Sequence, residues 1–155
     1  MTPCIKTLKK AKVDYKVHEY EHDSSCTSYG DEAAQKLEIT KERVFKTLVV
    51  QSEKALAVGI VPVSSKLSLK ALAKALGVKK IEMADVKDVE KTTGYILGGV
   101  SPIGQKKRLQ TVIDSSALNF DTIFVSAGKR GLEVELEARE MQILLNASFA
   151  DIATE

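Results

Sequence analysis

Val44-Phe45-Lys46-Thr47-Leu48-Val49-Val50, the polar stretch Gln51-Ser52-Glu53-Lys54, and then Ala55-Leu56-Ala57-Val58-Gly59-Ile60-Val61-Pro62-Val63 form the segment around which the chain organises. Both apolar runs are rich in β-branched residues and bounded by turn signals, so they read as paired core strands joined by a short polar turn. Within the first strand, Lys46 has the same period-two parity as Val44, Leu48 and Val50, which aims an ammonium group at an apolar face. A lysine so placed either snorkels to an edge or meets an anion or carbonyl in a cleft.

Upstream, Thr2 and Pro3 form an N-cap and first-turn pair, and Ile5, Leu8 and Ala11 recur at helical spacing. Val13 to Tyr20 alternates, with Val13, Tyr15 and Val17 on one face and Lys16, His18 and Tyr20 on the other, which predicts a half-buried strand. His22 to Gly30 is a polar loop, Asp31 is placed to cap a helix carrying Ala33, Ala34 and Leu37, and Thr40 is placed to cap a turn.

Downstream, Ser68 to Leu76 carries an apolar stripe and stops at Gly77, a second helix runs from the Asp85 cap to Gly94, and Lys80 to Met83 is a short strand between them. Leu109–Ile113, Thr122–Ser126 and Leu132–Leu136 read as strands, the last two joined by the turn Gly128-Lys129-Arg130-Gly131. Glu137–Leu145 is a closing helix that buries Met141, Leu144 and Leu145, and Phe149–Ile152 is a last strand. Adjacent hairpin-like strands interleaved with helices predict an α/β domain with a mixed sheet and flanking helices.

A length of 155 residues suits one core, and 44% hydrophobic with 28% charged residues excludes disordered and membrane-spanning classes. The start Met1-Thr2-Pro3-Cys4-Ile5-Lys6 lacks the pattern of a secretory signal, so a cytoplasmic location is expected, with no membrane partner. Cys4 and Cys26 give no disulfide framework. With His18 and His22 they give no zinc spacing, so neither metal nor cofactor is expected, and the two histidines read as surface imidazoles. The net charge of +2 confines any nucleic-acid contact to local patches, for which Lys106, Lys107, Arg108, Lys129 and Arg130 are candidates.

Chemistry gathers around Gly94-Tyr95-Ile96-Leu97-Gly98-Gly99-Val100-Ser101-Pro102-Ile103-Gly104. Such a loop lets backbone N–H groups approach a ligand closely. It is no nucleophile elbow, because proline follows Ser101. It lacks the GK[ST] of a phosphate-binding P-loop, and it is no dinucleotide fingerprint opening a helix. Cys4 has no cation or base at a defined spacing, so it reads as an inert thiol. What remains is a set of backbone donors at Gly98, Gly99 and Ser101, the Lys46 cation, and the hydroxyls of Tyr20, Ser101 and Ser126. That set is suited to binding and polarising an ester carbonyl or a phosphate without a protein nucleophile.

Phe45-Lys46-Thr47-Leu48, Lys79–Asp85, Thr93-Gly94-Tyr95 with Gly98–Arg108, and Val125-Ser126 with Gly128–Leu132 together resemble the YbaK family of bacterial Cys-tRNA(Pro) deacylases. Those proteins are related to the editing domain of prolyl-tRNA synthetase. The likeness runs from Met1 to about Ile152. It implies one editing-type domain over residues 1–155, a mixed, curved and partly barrel-like sheet, and hydrolysis of Cys-tRNA(Pro) in trans, with prolyl-tRNA synthetase as a further partner. It also implies that Lys46 is essential, that Gly98, Gly99 and Ser101 act with it, and that Tyr20, Thr47, Val100, Pro102, Ser126 and Gly128 shape the substrate pocket. In the family the substrate's own sulfur is thought to attack its ester and leave as a thiolactone.

Ala127-Gly128 stands where the family pattern has two glycines, and Pro62-Val63-Ser64-Ser65 replaces a more alanine-rich stretch. These departures bear on pocket size, so Ala-tRNA(Pro) stays open as a substrate beside Cys-tRNA(Pro). A non-catalytic aminoacyl-tRNA or nucleotide binder and a hydrolase of small esters are the other readings compatible with the same residues.

Overall fold

The computed structural model describes residues 1–25, 28–53 and 55–154, so Cys26 and the Lys54 end of the polar turn lie outside the described residues. In chain order the elements are α1 (Pro3–Ala11), β1 (Lys16–Glu19), α2 (Tyr29–Lys36), β2 (Phe45–Gln51), β3 (Leu56–Pro62), β4 (Lys66–Leu67), α3 (Leu69–Leu76) and β5 (Glu82–Met83). There follow α4 (Val86–Thr93), β6 (Gln110–Asp114), a 3₁₀ turn (Ser115–Asn119), β7 (Ile123–Lys129), β8 (Leu132–Leu136), α5 (Ala138–Leu145), β9 (Ser148–Ala150) and β10 (Ala153–Thr154).

The two apolar runs pair as read, antiparallel, with Lys46 opposite Val61 and Val50 opposite Ala57. They sit inside a five-stranded mixed sheet of order β5-β2-β3-β6-β9, in which β3–β6 and β6–β9 are parallel. A second sheet, β1-β8-β7, is antiparallel throughout. The two sheets meet at one bridge between Val44 and Phe124 and do not close into a barrel. Between them lies the main core, where Phe45, Val49, Val58 and Ile60 pack with Val125, Val134 and Met141. The other face of the large sheet buries Val50 and Val61 against Leu72 of α3. β3 is therefore apolar on both faces, which is why its sequence is a continuous run with no alternation.

The helix signals place their elements well. Thr2 Oγ1 accepts from the Ile5 N–H and donates to the Ala127 carbonyl (2.5 Å), fastening α1 to β7. Ser68 Oγ accepts from the Ala71 N–H, and Gly77 and Gly94 end α3 and α4 with φ of 75° and 82°.

Four expectations change. Val17 pairs with the buried Val134 but is 42% exposed, in keeping with the place of β1 at an edge of its sheet. The two histidines are not free surface rings: His18 donates to Glu135 (2.9 Å) and His22 to Glu32 (2.6 Å), both half-buried. α2 begins before Asp31, with Ser28 at its N-cap position, and the Ser28 hydroxyl donates to Asp31 (2.5 Å). The final strand is divided, since the buried Asp114 carboxylate accepts from the Ile152 and Ala153 N–H groups and turns the chain toward β4.

Candidate functional site

β5 faces β2 at Val50 and Gln51, so among the described residues the Phe45–Leu48 edge of β2 has no partner strand on that side. A cavity of about 380 Å³ opens there, a size within the range of small-molecule sites. β2 supplies Lys46 and Thr47 to its wall, the start of α2 supplies Tyr29, the glycine loop supplies Gly98, and the β7–β8 hairpin supplies Ser126 and Glu133.

The lysine and the glycine loop thus share one cavity. Gly98 has φ of +92°, a conformation that a side chain strains, and a Cβ there would lie 2.6 Å from both the Tyr29 ring and Arg130 Nε. The Arg130 guanidinium stacks over the Tyr29 ring at 4.2 Å and donates to the Leu97 carbonyl (3.1 Å), so loop, helix and hairpin meet at this glycine. Tyr20, Thr47, Val100 and Lys129 also line the cavity.

Other candidates lie elsewhere. The Gly99 N–H is spent within the loop on the Ile96 carbonyl (2.9 Å), and the residue packs against the Lys129 backbone. Ser101 is fully buried and its hydroxyl accepts from the Ile103 N–H (3.2 Å), so it faces the interior and not the cavity. Pro102 is buried and lines a separate small groove with Arg108, whose guanidinium donates to the Leu144 carbonyl (3.4 Å). Gly128 lies behind the wall against Tyr95 and donates to Ser126 Oγ (3.2 Å). Lys106 and Lys107 line another groove beside Gln51 and Leu56. That groove is at the far end of β2, about 17 Å from Lys46 at some 3.3 Å per strand residue. The basic candidates therefore divide: Lys129 and Arg130 stand at the cavity, while Lys106, Lys107 and Arg108 do not.

Electrostatically the cavity is unusual. Burial holds the Lys46 ammonium below its ordinary pKa, with the Asp31 charge pulling it back up and Lys66 pushing it further down. Lys46 forms no ion pair among the described residues. Thr47 Oγ1 is buried with no hydrogen-bond partner among them. Glu133 is 6% exposed, and burial pushes its carboxyl up to about 8. Sequence reading missed this residue, since Glu133 and Glu135 alternate with Leu132, Val134 and Leu136 and resemble a solvent face. Its coverage comes from the packing of distant segments, which no local pattern reports. Neither histidine lines the cavity. The Cys4 thiol is buried and pushed up to about 11, as befits an inert sulfur. No group of three metal-ligating side chains occurs among the described residues, and no helix there is long and apolar enough to cross a membrane.

Comparison with known proteins places this geometry in context. Residues 23–144 match the aminoacyl-tRNA editing domain family. The chain is 43% identical over 154 residues to a candidate Cys-tRNA(Pro)/Cys-tRNA(Cys) deacylase, EbsC, of Enterococcus faecalis, covering 99% of this chain and 93% of that protein. It is 28% identical over 126 residues to the uncharacterised protein YwhH of Bacillus subtilis, covering 81% and 78%. Among solved structures, a candidate trans-editing enzyme for prolyl-tRNA synthetase superposes with a TM-score of 0.83 at 23% identity, covering 100% of this chain and 99% of that one.

Proposed function

The chain belongs to the aminoacyl-tRNA editing domain family, and from that premise we propose that it is an aminoacyl-tRNA deacylase acting in trans on Cys-tRNA(Pro), with residues 1–155 working as one editing domain and prolyl-tRNA synthetase as its partner. The observation that carries this reading is the opening of the Lys46 ammonium and the Gly98 turn onto one cavity.

An aminoacyl ester on a tRNA 3′ end offers a carbonyl beside an anionic phosphate. Lys46 holds the terminal ribose-phosphate, where a half-desolvated cation interacts more strongly than one in water. Gly98 and Val100 line the cavity, and among the described residues their N–H groups make no backbone hydrogen bond of the kind that occupies Gly99. They supply the donors for the negative charge that develops on the carbonyl oxygen. The substrate thiol then attacks its own ester carbonyl: sulfur bonds to the carbonyl carbon, the ribose oxygen leaves and takes up the thiol proton, and a cyclic thiolactone departs. No protein nucleophile enters this sequence, in keeping with a cavity that has no histidine to activate one. Tyr20, Thr47 and Ser126 present hydroxyls around the bound aminoacyl group.

Incubation of the purified protein with labelled Cys-tRNA(Pro), Ala-tRNA(Pro) and Pro-tRNA(Pro) tests the reading. Loss of the cysteinyl ester with retention of the prolyl ester is the expected result. Equal survival of all three would leave a binding module instead of an enzyme. For the tRNA body, the cavity-side cations are decisive. Lys129→Glu is expected to weaken tRNA binding several-fold at low salt and to lower the slope of log affinity against log salt by about 1, whereas Lys107→Glu changes it little. Equal losses would return the contact to the far groove.

A further inference from the structure

We infer that Glu133 is the acceptor for the α-ammonium of the aminoacyl group, which makes the cavity a receptor for a substrate that is positive at one end and negative at the other. The inference rests on the deacylase reading and names the substrate feature that this site selects.

Glu133 lies on β8 opposite His18 and Ser126, and its carboxyl lines the cavity while being almost wholly shielded from water. No hydrogen bond or ion pair from a described residue reaches it. The neighbouring carboxylates are all served: Glu135 accepts from His18, Arg43 and Thr122, and Glu32 accepts from His22 and Lys36. The cavity's own cation does not serve Glu133 either. The fields acting on Lys46 come from Asp31 and Lys66, while the carboxyl of Glu133 is raised by burial and its charge is felt by the Cys4 thiol. A buried acid with no partner costs stability in proportion to its lost hydration. At a ligand site such a cost is offset when the ligand brings the missing charge.

The aminoacyl end of a charged tRNA brings one, its free α-amine. An α-amine titrates at about 7.7–8.0, close to the value of about 8 to which burial has moved this carboxyl. Near neutrality each group is largely protonated while the two are apart, so the carboxylate–ammonium pair forms with release of one proton to solvent. Lys46 takes the phosphate, Glu133 takes the amine, and the ester carbonyl is held between them. This arrangement discriminates against esters without a free amine, because they leave the carboxyl as unpartnered as before.

The probe is 3-mercaptopropionyl-tRNA(Pro), which keeps the thiol and the ester of Cys-tRNA(Pro) and lacks the amine. Single-turnover rates are compared for wild type and Glu133→Gln, with thermal unfolding of both. Wild type is expected to favour the cysteinyl ester by about 10²-fold, and Glu133→Gln to lose 10- to 100-fold on that ester while cleaving the amine-free ester at the wild-type rate. The amine-free ester thus also shows that the variant is folded and competent. An equal loss on both esters, or a variant as fast as wild type on the cysteinyl ester, overturns the inference while leaving the deacylase reading intact. A wild type inert toward both esters overturns that reading and the inference with it.

Discussion

Lys46→Ala is expected to lose about 10²–10³ in the single-turnover deacylation rate of Cys-tRNA(Pro), with no fall in its thermal unfolding midpoint. The separation of the two effects follows from where the side chain sits. Its ammonium is half-buried and forms no ion pair among the described residues, so burial weighs against its charge and little of the fold's stability depends on it. What the charge serves is the ligand, and a preorganised cation at a shielded site acts on the reaction with no reorganisation of solvent. Lys46→Met, which keeps the stem and drops the charge, should resemble the alanine variant in rate. A Lys46→Ala protein that deacylates at the wild-type rate would remove Lys46 from the reaction. One that unfolds many degrees earlier would make it a structural residue.

Glu133→Gln is expected to gain stability over wild type as pH rises, by about 3 kcal/mol more at pH 8 than at pH 5. In the folded chain the carboxyl titrates at about 8, against an ordinary value of 4.5. Between those pH values the folded state holds one proton more than the unfolded state, so unfolding releases it and becomes easier as pH rises. The stabilising share of the neutral acid is fully present below pH 4.5 and is lost as pH climbs through 8, with a slope of at most about 1.4 kcal/mol per pH unit. Glutamine has the same shape and cannot titrate, so its stability curve lacks this descent. Denaturant melts at pH 5, 6, 7 and 8 read the difference directly, and at roughly 2–4 °C per kcal/mol the thermal melts should diverge too. Parallel curves would mean that the carboxyl is ionised in the folded protein.

Much of the architecture was legible because its signals are local. The β2–β3 pair announces itself through two apolar runs around a polar turn, and α3 through Ser68, its apolar stripe and Gly77. The short β4–β10 pair was not legible, because it depends on a buried Asp114 carboxylate gathering N–H groups from residues almost forty positions away. The candidate site divides along the same line. Lys46 stood out as a charge in an apolar strand, and Gly98 as part of a loop that needs bare backbone. Which amides of that loop are free, and which is already consumed by Ile96, is fixed by the path of the turn and not by the number of glycines. Glu133 was hidden, since a charge alternating with apolar residues looks solvated until the segments across from it are known.

Tyr29, Gly98 and Arg130 together span about a hundred residues of chain, yet they clamp three walls of the cavity into one frame. The mouth therefore cannot widen at the hairpin alone without drawing the helix start and the turn along with it. Admission of a bulkier aminoacyl group is a property of that buckle as a whole, and a single methyl added at position 98 would pry it open from the inside.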